Sequence, residues 1–536
     1  MFSLCSLLFG SLLVPEAVGW VSYRSSIARG RLAQSWLPND ASYGERAVTH
    51  SRRWRDSRMK KRIYLMSIEG EDANGDVVSG RRQRICVLGG GFGGLYTAIR
   101  LDKLSWRGPK PVVTLIDKRD KFTFLPLLYE FAVGNAELDE VAPTFRELLE
   151  GTDVSFVQAT LSEVDLTRRE VAMVGAVADD LDGYVISDNP DERRTLEYDK
   201  LVIALGAEPG MGIERVPGAS KHAIPFYSIE DSYRVKTAIR HLKARLRSEV
   251  VVRLVVVGGG YGGVEVACNL AMELVRGWGG RAEVTLVTNS EVLTMATPGN
   301  REAGLRRLRE SGVRVLTGTG VGEVRDGGVV VLQPSKQDDS SITATEEIRS
   351  DLLIWTAGSQ PNSLLASIDA AKDTCGRLEV DRRLQLTRSE APGAFGHDSS
   401  VSSGSGVPSG EVFCLGDVAA VQGLDLGASA QVAMQQADYV AYNIWAQETG
   451  QQMLDFRYVG LGEMMSLGGF EASLTALDGR VKLGGKAAGL LRRALYAMRM
   501  PTNPQRVRAA ASAAAGTAYS ITNAVLGKAV GFLDRL

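Results

Sequence analysis

Two glycine-rich loops of the same form constrain the fold of this 536-residue chain more than any other feature. The loop GGGFGG follows the apolar run RICVL at 84–88, and GGGYGG follows RLVVV at 253–257. Each loop leads into a helix pattern rich in small residues, as in the strand–turn–helix unit that binds the pyrophosphate of a dinucleotide. The chain is therefore predicted to be an α/β protein with two nucleotide-binding units.

Later apolar strands indicate how the two units are arranged. LVIALGA closes the first unit at Gly206, LLIWTAG closes the second at Gly358, and VFCLGD at 412–417 would return the chain to the first. We predict two Rossmann-like dinucleotide-binding domains, the second inserted into the first, followed by a C-terminal amphipathic region for membrane association. The predicted boundaries are 81–249 and 376–460 for the first domain, 250–375 for the second, and 461–536 for the C-terminal region. Two acidic stretches, 176–195 and 333–349, are predicted to be surface loops.

The glycines of each loop serve a tight turn, a close approach to pyrophosphate and close helix packing. They are Gly89, Gly91 and Gly94 in the first loop, and Gly258, Gly260 and Gly263 in the second. In the first unit, Asp117 ends the next apolar strand, where an acid can hold ribose hydroxyls. The equivalent strand of the second unit ends on Thr288 and Asn289. The absence of a carboxylate there would admit NADPH, but no Arg or Lys follows immediately and Glu291 is close by, so the choice between NADH and NADPH is left open.

Charge and cysteine usage narrow the class of partner. Lys and Arg total 62 and Asp and Glu total 63, so the overall charge balance points to no nucleic acid. The five cysteines have no CxxC spacing, which predicts neither a metal site nor a redox disulfide. Two dinucleotide sites in one chain imply hydride transfer between a diffusing nicotinamide and a bound flavin. The electron acceptor is then not a disulfide.

The first 68 residues differ in composition from the rest. An apolar opening, FSLCSLLFGSLLV, is followed by a stretch rich in Arg and Ser and poor in acids. We interpret residues 1–68 as a targeting sequence and linker, most consistent with a plastid reached through the secretory route. A mitochondrial address and a tail without an address remain alternatives.

The combination of motifs resembles one enzyme family. GGGFGGLYTA, FTFLPLLYEFAVG, YDKLVIALGAE, VVVGGGYGGVEVA, IWTAG, FCLGD and AQVAMQQAD occur in the order typical of type II NAD(P)H:quinone dehydrogenases, over about 84–500. PFYSIEDSYRV, PGNREA and GEMMSLG are most similar to the plastid subgroup that reduces plastoquinone or demethylphylloquinone. The resemblance implies a non-proton-pumping NAD(P)H:quinone oxidoreductase, with ubiquinone as a further candidate substrate. A flavoprotein with a soluble acceptor and a redox-sensing flavoprotein remain alternatives.

The resemblance also assigns roles to residues. It implies that FAD is held by Gly89, Gly91, Gly94, Asp117, Gly416 and Asp417, and NADH or NADPH by Gly258, Gly260, Gly263 and Gly358. It implies a proton-delivery role for Glu265, for which a carboxylate at the positive end of a helix is the alternative. It implies a quinone site bordered by Ala430, Gln431, Met434 and Gln435, with Gln435 and Gln436 donating to a quinone carbonyl. A solvated helix face is the alternative there.

A C-terminal segment, GKAAGLLRRALYAMRM, has the pattern of a helix lying on a membrane surface. Its apolar residues at helical spacing are Ala487, Leu490, Leu491, Ala494, Leu495 and Met498, and its basic residues are Lys486, Arg492, Arg493 and Arg499. The alternative is an ordinary amphipathic helix packed on its own domain. The sequence leaves open whether the chain forms a homodimer.

Overall fold

The computed structural model describes residues 70–71, 77–78, 81–180, 183–185, 193–210, 212–245, 251–275, 281–334, 342–387, 410–477 and 479–511. The predicted targeting sequence and linker, residues 1–68, lies outside these ranges. A short antiparallel hairpin pairs Gly70–Glu71 with Val77–Val78.

The remaining strands are β1 (Arg84–Leu88), β2 (Val112–Asp117), β3 (Val154–Asp165), β4 (Glu170–Asp180), β5 (Gly183–Val185), β6 (Arg194–Glu197), β7 (Lys200–Ile203), β8 (Ala207–Pro209), β9 (Ala223–Pro225), β10 (Val252–Val257), β11 (Ala282–Val287), β12 (Arg314–Leu316), β13 (Gly320–Arg325), β14 (Gly328–Pro334), β15 (Ile342–Arg349), β16 (Leu352–Trp355), β17 (Ser359–Pro361), β18 (Leu378–Val380), β19 (Val412–Cys414), β20 (Ala419–Val421), β21 (Glu463–Ser466), β22 (Ala472–Ala476) and β23 (Val481–Gly484).

The α-helices are α1 (Phe92–Lys103), α2 (Leu128–Val133), α3 (Leu138–Val141), α4 (Phe145–Leu149), α5 (Gly212–Arg215), α6 (Ala219–His222), α7 (Ile229–Arg245), α8 (Tyr261–Leu270), α9 (Pro298–Glu310), α10 (Ala430–Thr449) and α11 (Gly485–Arg499). A further helix covers 503–511. Short 3-10 turns occupy Leu125–Leu127, Ser363–Ser367 and Gly416–Val418, and a π-turn at Ala271–Val275 extends α8.

The first sheet has the strand order β19-β7-β1-β2-β3-β4-β5, with β6 also paired to β4. The pairings from β19 to β3 are parallel, and those beyond β3 are antiparallel. Strands β1 and β2 are buried along nearly their whole length, as expected where helices cover both faces of a parallel sheet. Strand β19 lies beside β7 although the whole second sheet falls between them in sequence.

The second sheet is entirely parallel, in the order β9-β16-β10-β11-β12. Its edge strand β9 precedes the predicted boundary at residue 250, so the chain contributes to this sheet earlier than the sequence pattern indicated. A separate antiparallel sheet of β13, β14 and β15 packs against it through a shared apolar cluster. The prediction of simple loops was wrong for parts of both acidic stretches. The stretch 333–349 contains β15 and the end of β14, and 176–195 contains strand residues of β4, β5 and β6.

The C-terminal region holds a small antiparallel sheet, β21-β22-β23, on which α11 packs. Ala472, Leu474 and Ala476 of β22 form a buried cluster with Ala488 of α11. The region predicted only as a membrane-association segment thus begins as a folded unit with its own core. Among the helices that the structure describes, none is both long and apolar enough to cross a bilayer.

Candidate functional site

The first glycine loop joins β1 to α1 in a geometry that only glycine permits. Gly89 has a φ of +96°, and a Cβ there would lie 2.4 Å from the carbonyl oxygen of Ala204. A Cβ on Gly94 would lie 1.9 Å from the carbonyl oxygen of Gly89, so α1 can approach the strand only without a side chain. A Cβ on Gly91 would instead meet no protein atom within 4 Å. The loop therefore packs tightly at both ends and faces open space in the middle, as a phosphate cradle must.

Asp117 closes this loop at the end of β2. Its Oδ2 accepts a hydrogen bond from the Gly90 N–H at 2.6 Å, and its Oδ1 accepts one from the Arg119 N–H at 2.8 Å. Burial raises the pKa of Asp117 above its ordinary value, although these two N–H donors oppose the shift. The carboxylate thus helps to hold the loop in place as well as facing the space beyond the strand end.

That space is a cavity of about 550 Å³, a volume in the range of small-molecule and cofactor sites. It is lined by the ends of β1 and β2, by part of β3, by β8 and by the turn after β17. Its lining includes Gly89, Asp117, Lys118, Arg119, Asn362 and Ser363. Acid, base and amide groups around a glycine cradle fit one half of a dinucleotide.

A second group of first-unit residues lies at the end of β19. The Gly416 N–H donates to the Gln436 Oε1 at 2.6 Å, which ties the turn after β19 to α10. Asp417 is the next residue, and burial raises its pKa. Its half-buried carboxylate accepts no hydrogen bond from any described residue, so it is available to the hydroxyl groups of a ligand.

The second glycine loop, between β10 and α8, repeats the construction of the first. Gly258 has a φ of +122°, and a Cβ on Gly263 would lie 1.8 Å from the carbonyl oxygen of Gly258. A Cβ on Gly260 would meet no protein atom within 4 Å. Gly358, at a φ of +76°, accepts a hydrogen bond from the Gly210 N–H at 3.1 Å beside this loop. Both loops are therefore shaped to receive a pyrophosphate.

Glu265 lies in α8 but is buried rather than exposed at the helix start. Its Oε1 accepts a hydrogen bond from the Ser466 N–H of β21 at 2.7 Å. Burial raises the pKa of Glu265 to about 7, while the charge of Arg492 acts against this shift. Tyr129 of α2 interacts with the same carboxyl group. A carboxyl group with such a pKa can gain or lose a proton near neutral pH.

A buried cluster of Glu130, Arg492 and Arg493 lies next to Glu265. Both arginines form ion pairs with the Glu130 carboxylate, and all three side chains are almost fully buried. Burial alone would raise the pKa of Glu130, but the two guanidinium groups outweigh it and the pKa is lowered. Arg492 also donates to the Pro126 carbonyl at 2.7 Å, and Arg493 to the Asn135 carbonyl at 2.8 Å. The prediction that these two arginines add charge to a membrane-facing surface is therefore wrong.

The apolar residues of α11 are placed differently. Leu490 and Met498 are each 45% exposed, and Ala487 and Ala494 on the same face are exposed as well. Leu491 and Leu495 are partly buried against the C-terminal sheet. The helix therefore packs on its own domain with one side and presents an apolar strip with the other.

The glutamines of α10 are less free than the sequence pattern suggested. The Gln435 amide donates to the Val459 carbonyl at 2.9 Å and accepts from the Val459 N–H at 3.0 Å. Gln431 bonds likewise to the backbone of Leu461 and Gly462. Gln436 is buried, and while its Oε1 holds Gly416, its Nε2 has no partner in the described part of the chain. One of the two N–H donors of the Gln435 Nε2 is used by Val459, so one donor remains for a ligand.

The structure thus brings Gly416 and Gln436 together and places Glu265 with Tyr129 and Arg492. Ala430 and Met434 lie on α10, where Ala430 is half-buried and Met434 is buried. Sequence reasoning missed Tyr129 and Glu130, although both stand within the motif FTFLPLLYEFAVG. A charged residue inside an otherwise apolar motif was the signal that could have identified Glu130.

Comparison with known proteins extends these observations. Residues 83–437 match the family described as pyridine nucleotide-disulphide oxidoreductase. The chain is 34% identical over 426 residues to a demethylphylloquinone reductase of Synechocystis, covering 78% of this chain and 93% of that protein. It is 32% identical over 487 residues to the alternative NAD(P)H-ubiquinone oxidoreductase C1, chloroplastic/mitochondrial, of Arabidopsis thaliana, covering 85% and 88%. The fold is similar to that of NDH2 from Plasmodium falciparum in complex with NADH, with a TM-score of 0.66, 17% identity, and coverage of 82% of this chain and 99% of that one.

Proposed function

The chain belongs to the pyridine nucleotide-disulphide oxidoreductase family and, within it, to the type II NAD(P)H:quinone oxidoreductases, and we propose that it reduces a prenylated quinone at a plastid membrane surface. It is an FAD-dependent enzyme that oxidises NAD(P)H and reduces a quinone. Plastoquinone and demethylphylloquinone are the proposed substrates, and residues 1–68 the proposed plastid address. The mitochondrial inner membrane, with ubiquinone, is the alternative.

The presence of two glycine cradles in one chain is the observation that carries the proposal. We assign FAD to the first cradle, because it opens beside the 550 Å³ cavity and because Asp417 offers an unpartnered carboxylate. The residues assigned to FAD are Gly89, Gly91, Gly94, Asp117, Gly416 and Asp417. The residues assigned to NAD(P)H are Gly258, Gly260, Gly263 and Gly358. Held by these residues, FAD would supply the group that takes up the hydride of NAD(P)H and returns two electrons to the quinone.

Reduction of a quinone to a quinol consumes two protons for the two electrons. The hydride brings one proton equivalent, so one more must come from the protein or the solvent. Glu265 is proposed to supply it, because its pKa of about 7 keeps a substantial protonated fraction at neutral pH. The Ser466 N–H holds this carboxyl group in place, and Arg492 keeps its pKa from rising further.

The N-terminal half of α10 is proposed to border the quinone. Ala430, Gln431, Met434 and Gln435 form the proposed wall. Of the two glutamines expected to donate to a quinone carbonyl, Gln436 is favoured because both N–H donors of its Nε2 are without a partner among the described residues, whereas one N–H donor of Gln435 is bonded to Val459. Gln435 then acts by holding the segment around Val459 against α10.

The exposed strip of Ala487, Leu490, Ala494 and Met498 is proposed to lie against the membrane surface. A quinone with a long isoprenoid tail stays in the lipid, so an enzyme that reduces it must reach that surface. Lys486 is exposed at the start of the same helix, where it can contact anionic headgroups.

The test uses the purified, FAD-loaded chain with NADH or NADPH and one of three acceptors. The acceptors are decyl-plastoquinone, a short-chain naphthoquinone and ferricyanide. Quinone-dependent oxidation of the nicotinamide is expected. Activity with ferricyanide but with neither quinone would favour a soluble acceptor, and nucleotide binding without turnover would favour a sensing role.

A further inference from the structure

A guanidinium group stands beside the second glycine loop, in the part of the site that would receive the adenosine ribose of a nicotinamide. Arg301 lies in the first turn of α9, and its Nε donates to the Val292 carbonyl at 3.1 Å. The next residue in the chain, Leu293, donates its N–H to the carbonyl of Gly259 at 2.8 Å. One short loop therefore touches the glycine cradle and holds the Arg301 side chain.

The strand end that normally recognises the ribose is neutral in this protein. Thr288 follows β11, is buried, and turns toward the cradle: a Cβ on Gly259 would lie 2.6 Å from its Oγ1. The exposed residues after it are Asn289, Ser290 and Glu291. No carboxylate stands at the end of the strand itself, where an acid would exclude a 2′-phosphate.

The acid nearest to this position is itself paired with Arg301. The Glu291 Oε2 lies 3.5 Å from a terminal nitrogen of Arg301, and the two side chains are 69% and 40% exposed. A long, exposed pair of this kind contributes little energy. A phosphate group carries more charge than a carboxylate and accepts two hydrogen bonds from one guanidinium, so it can replace Glu291 as the partner of Arg301.

We propose that Arg301 binds the 2′-phosphate of NADPH and that Glu291 pairs with it when NADH occupies the site. The protein then accepts both nicotinamides, and this pair sets the ratio between them. The inference rests on the proposed function for the assignment of the second cradle to NAD(P)H. It adds the residue that recognises the phosphate, which the glycine loops do not specify.

The test measures binding of 2′,5′-ADP and 5′-AMP to the FAD-loaded full chain by calorimetry. These two probes differ at the ribose only by the 2′-phosphate. Arg301→Gln is expected to weaken 2′,5′-ADP binding by about tenfold or more, the factor equivalent to ~1.4 kcal/mol, and to change 5′-AMP binding by less than about twofold. Glu291→Gln is expected to strengthen 2′,5′-ADP binding. Arg301→Lys is expected to bind 2′,5′-ADP more weakly than the unmodified protein but more tightly than Arg301→Gln.

Arg253 provides a matched control in the same sheet. It pairs with Glu283 at 3.3 Å and is also 40% exposed, but it lies near the amino ends of β10 and β11, opposite the cradle. Arg253→Gln is expected to leave the affinity for both probes unchanged. The ratio of kcat/KM for NADPH to that for NADH, with ferricyanide as acceptor, should fall in Arg301→Gln to the same degree as the binding ratio.

If Arg301→Gln weakened the binding of both probes equally, or weakened neither, the proposal would be overturned. Equal loss would mean that Arg301 only supports the loop. Nucleotide binding requires no quinone, so its outcome is independent of the acceptor. Selective loss of 2′,5′-ADP in a chain that reduces no quinone would uphold Arg301 and reject the proposed acceptor alone.

Discussion

Arg492 of α11 and Glu130 of α2 form a buried ion pair between segments more than 360 residues apart in the chain. Arg493 binds the other oxygen of the same carboxylate. These ion pairs hold α11, which carries the exposed apolar strip, against α2, which carries Tyr129. The Tyr129 side chain in turn interacts with Glu265. The proposed membrane contact and the proposed proton donor are thus connected through one small cluster.

Removing one member of this cluster should destabilise the protein strongly. Glu130→Gln leaves two buried guanidinium groups without their carboxylate partner, which costs about 3–5 kcal/mol. The measurement is the free energy of unfolding in urea for the FAD-loaded protein. Arg508→Gln is the control, because its pair with Glu147 is exposed and should contribute less than about 1 kcal/mol. Equal effects of the buried and exposed changes would contradict the role of the cluster.

Glu265 should make stability depend on pH in a defined window. Its pKa is raised from 4.5 to about 7 in the folded protein. The folded state therefore binds the Glu265 proton more tightly than the unfolded state does. The stability that this difference contributes is fully present below pH 4.5 and is lost as pH rises through about 7. Glu265→Gln removes this dependence. The variant should gain stability relative to the unmodified protein as pH rises, by at most about 3 kcal/mol.

The readout for Glu265 is the difference in unfolding free energy between the two proteins at several pH values. A difference that stays constant from acid to neutral pH would show that Glu265 does not titrate there. If Glu265 also supplies a proton to the quinone, the quinone-dependent rate of the unmodified protein should decline above pH 7. The Glu265→Gln variant should be slower at every pH and should show no such decline.

The two cradles should respond differently to the same substitution. Neither Gly91 nor Gly260 would bring a Cβ within 4 Å of protein atoms, so alanine at either position should fold normally and obstruct only the ligand. Gly91→Ala is expected to lower the FAD content of the purified protein. Gly260→Ala should keep its FAD and raise the KM for the nicotinamide by about tenfold. The reverse pattern would exchange the two assignments.

The exposed strip of α11 should determine binding to lipid vesicles. Leu490→Glu and Met498→Glu place charge on an apolar surface and should reduce cosedimentation with vesicles that contain anionic lipid. Leu477→Glu is the control, since Leu477 is 46% exposed but lies in the turn after β22, outside α11. Unchanged binding of the α11 variants, with ferricyanide activity intact, would remove this helix from the membrane contact.

Local patterns predicted much of the architecture. The loops around Gly89 and Gly258, the strand ending at Asp117 and the return strand at 412–414 are all set by short-range sequence: an apolar run, then glycine, then small residues. The exposed face that includes Leu490 and Met498 also followed from helical spacing. These features depend on residues within a few positions of one another.

The features that could not be predicted depend on distant partners. Helical spacing placed Arg492 and Arg493 on a solvated face, but Glu130 on α2 draws both into the interior. The Gln435 amide looked free because its partner, the Val459 backbone, belongs to an irregular segment without a pattern of its own. Strand β9 was missed because three residues, AIP, are too short to register as a periodic run.

Anaerobic stopped-flow absorbance of the bound flavin tests the central claim most directly. The FAD-loaded protein is reduced with one equivalent of NADH or NADPH and then mixed with decyl-plastoquinone, while the visible absorbance of oxidised flavin is followed. The absorbance should return at a rate at least equal to kcat for quinone reduction, and it should return more slowly in Glu265→Gln. A flavin that remains reduced in the presence of quinone, yet is reoxidised by ferricyanide, would contradict the account.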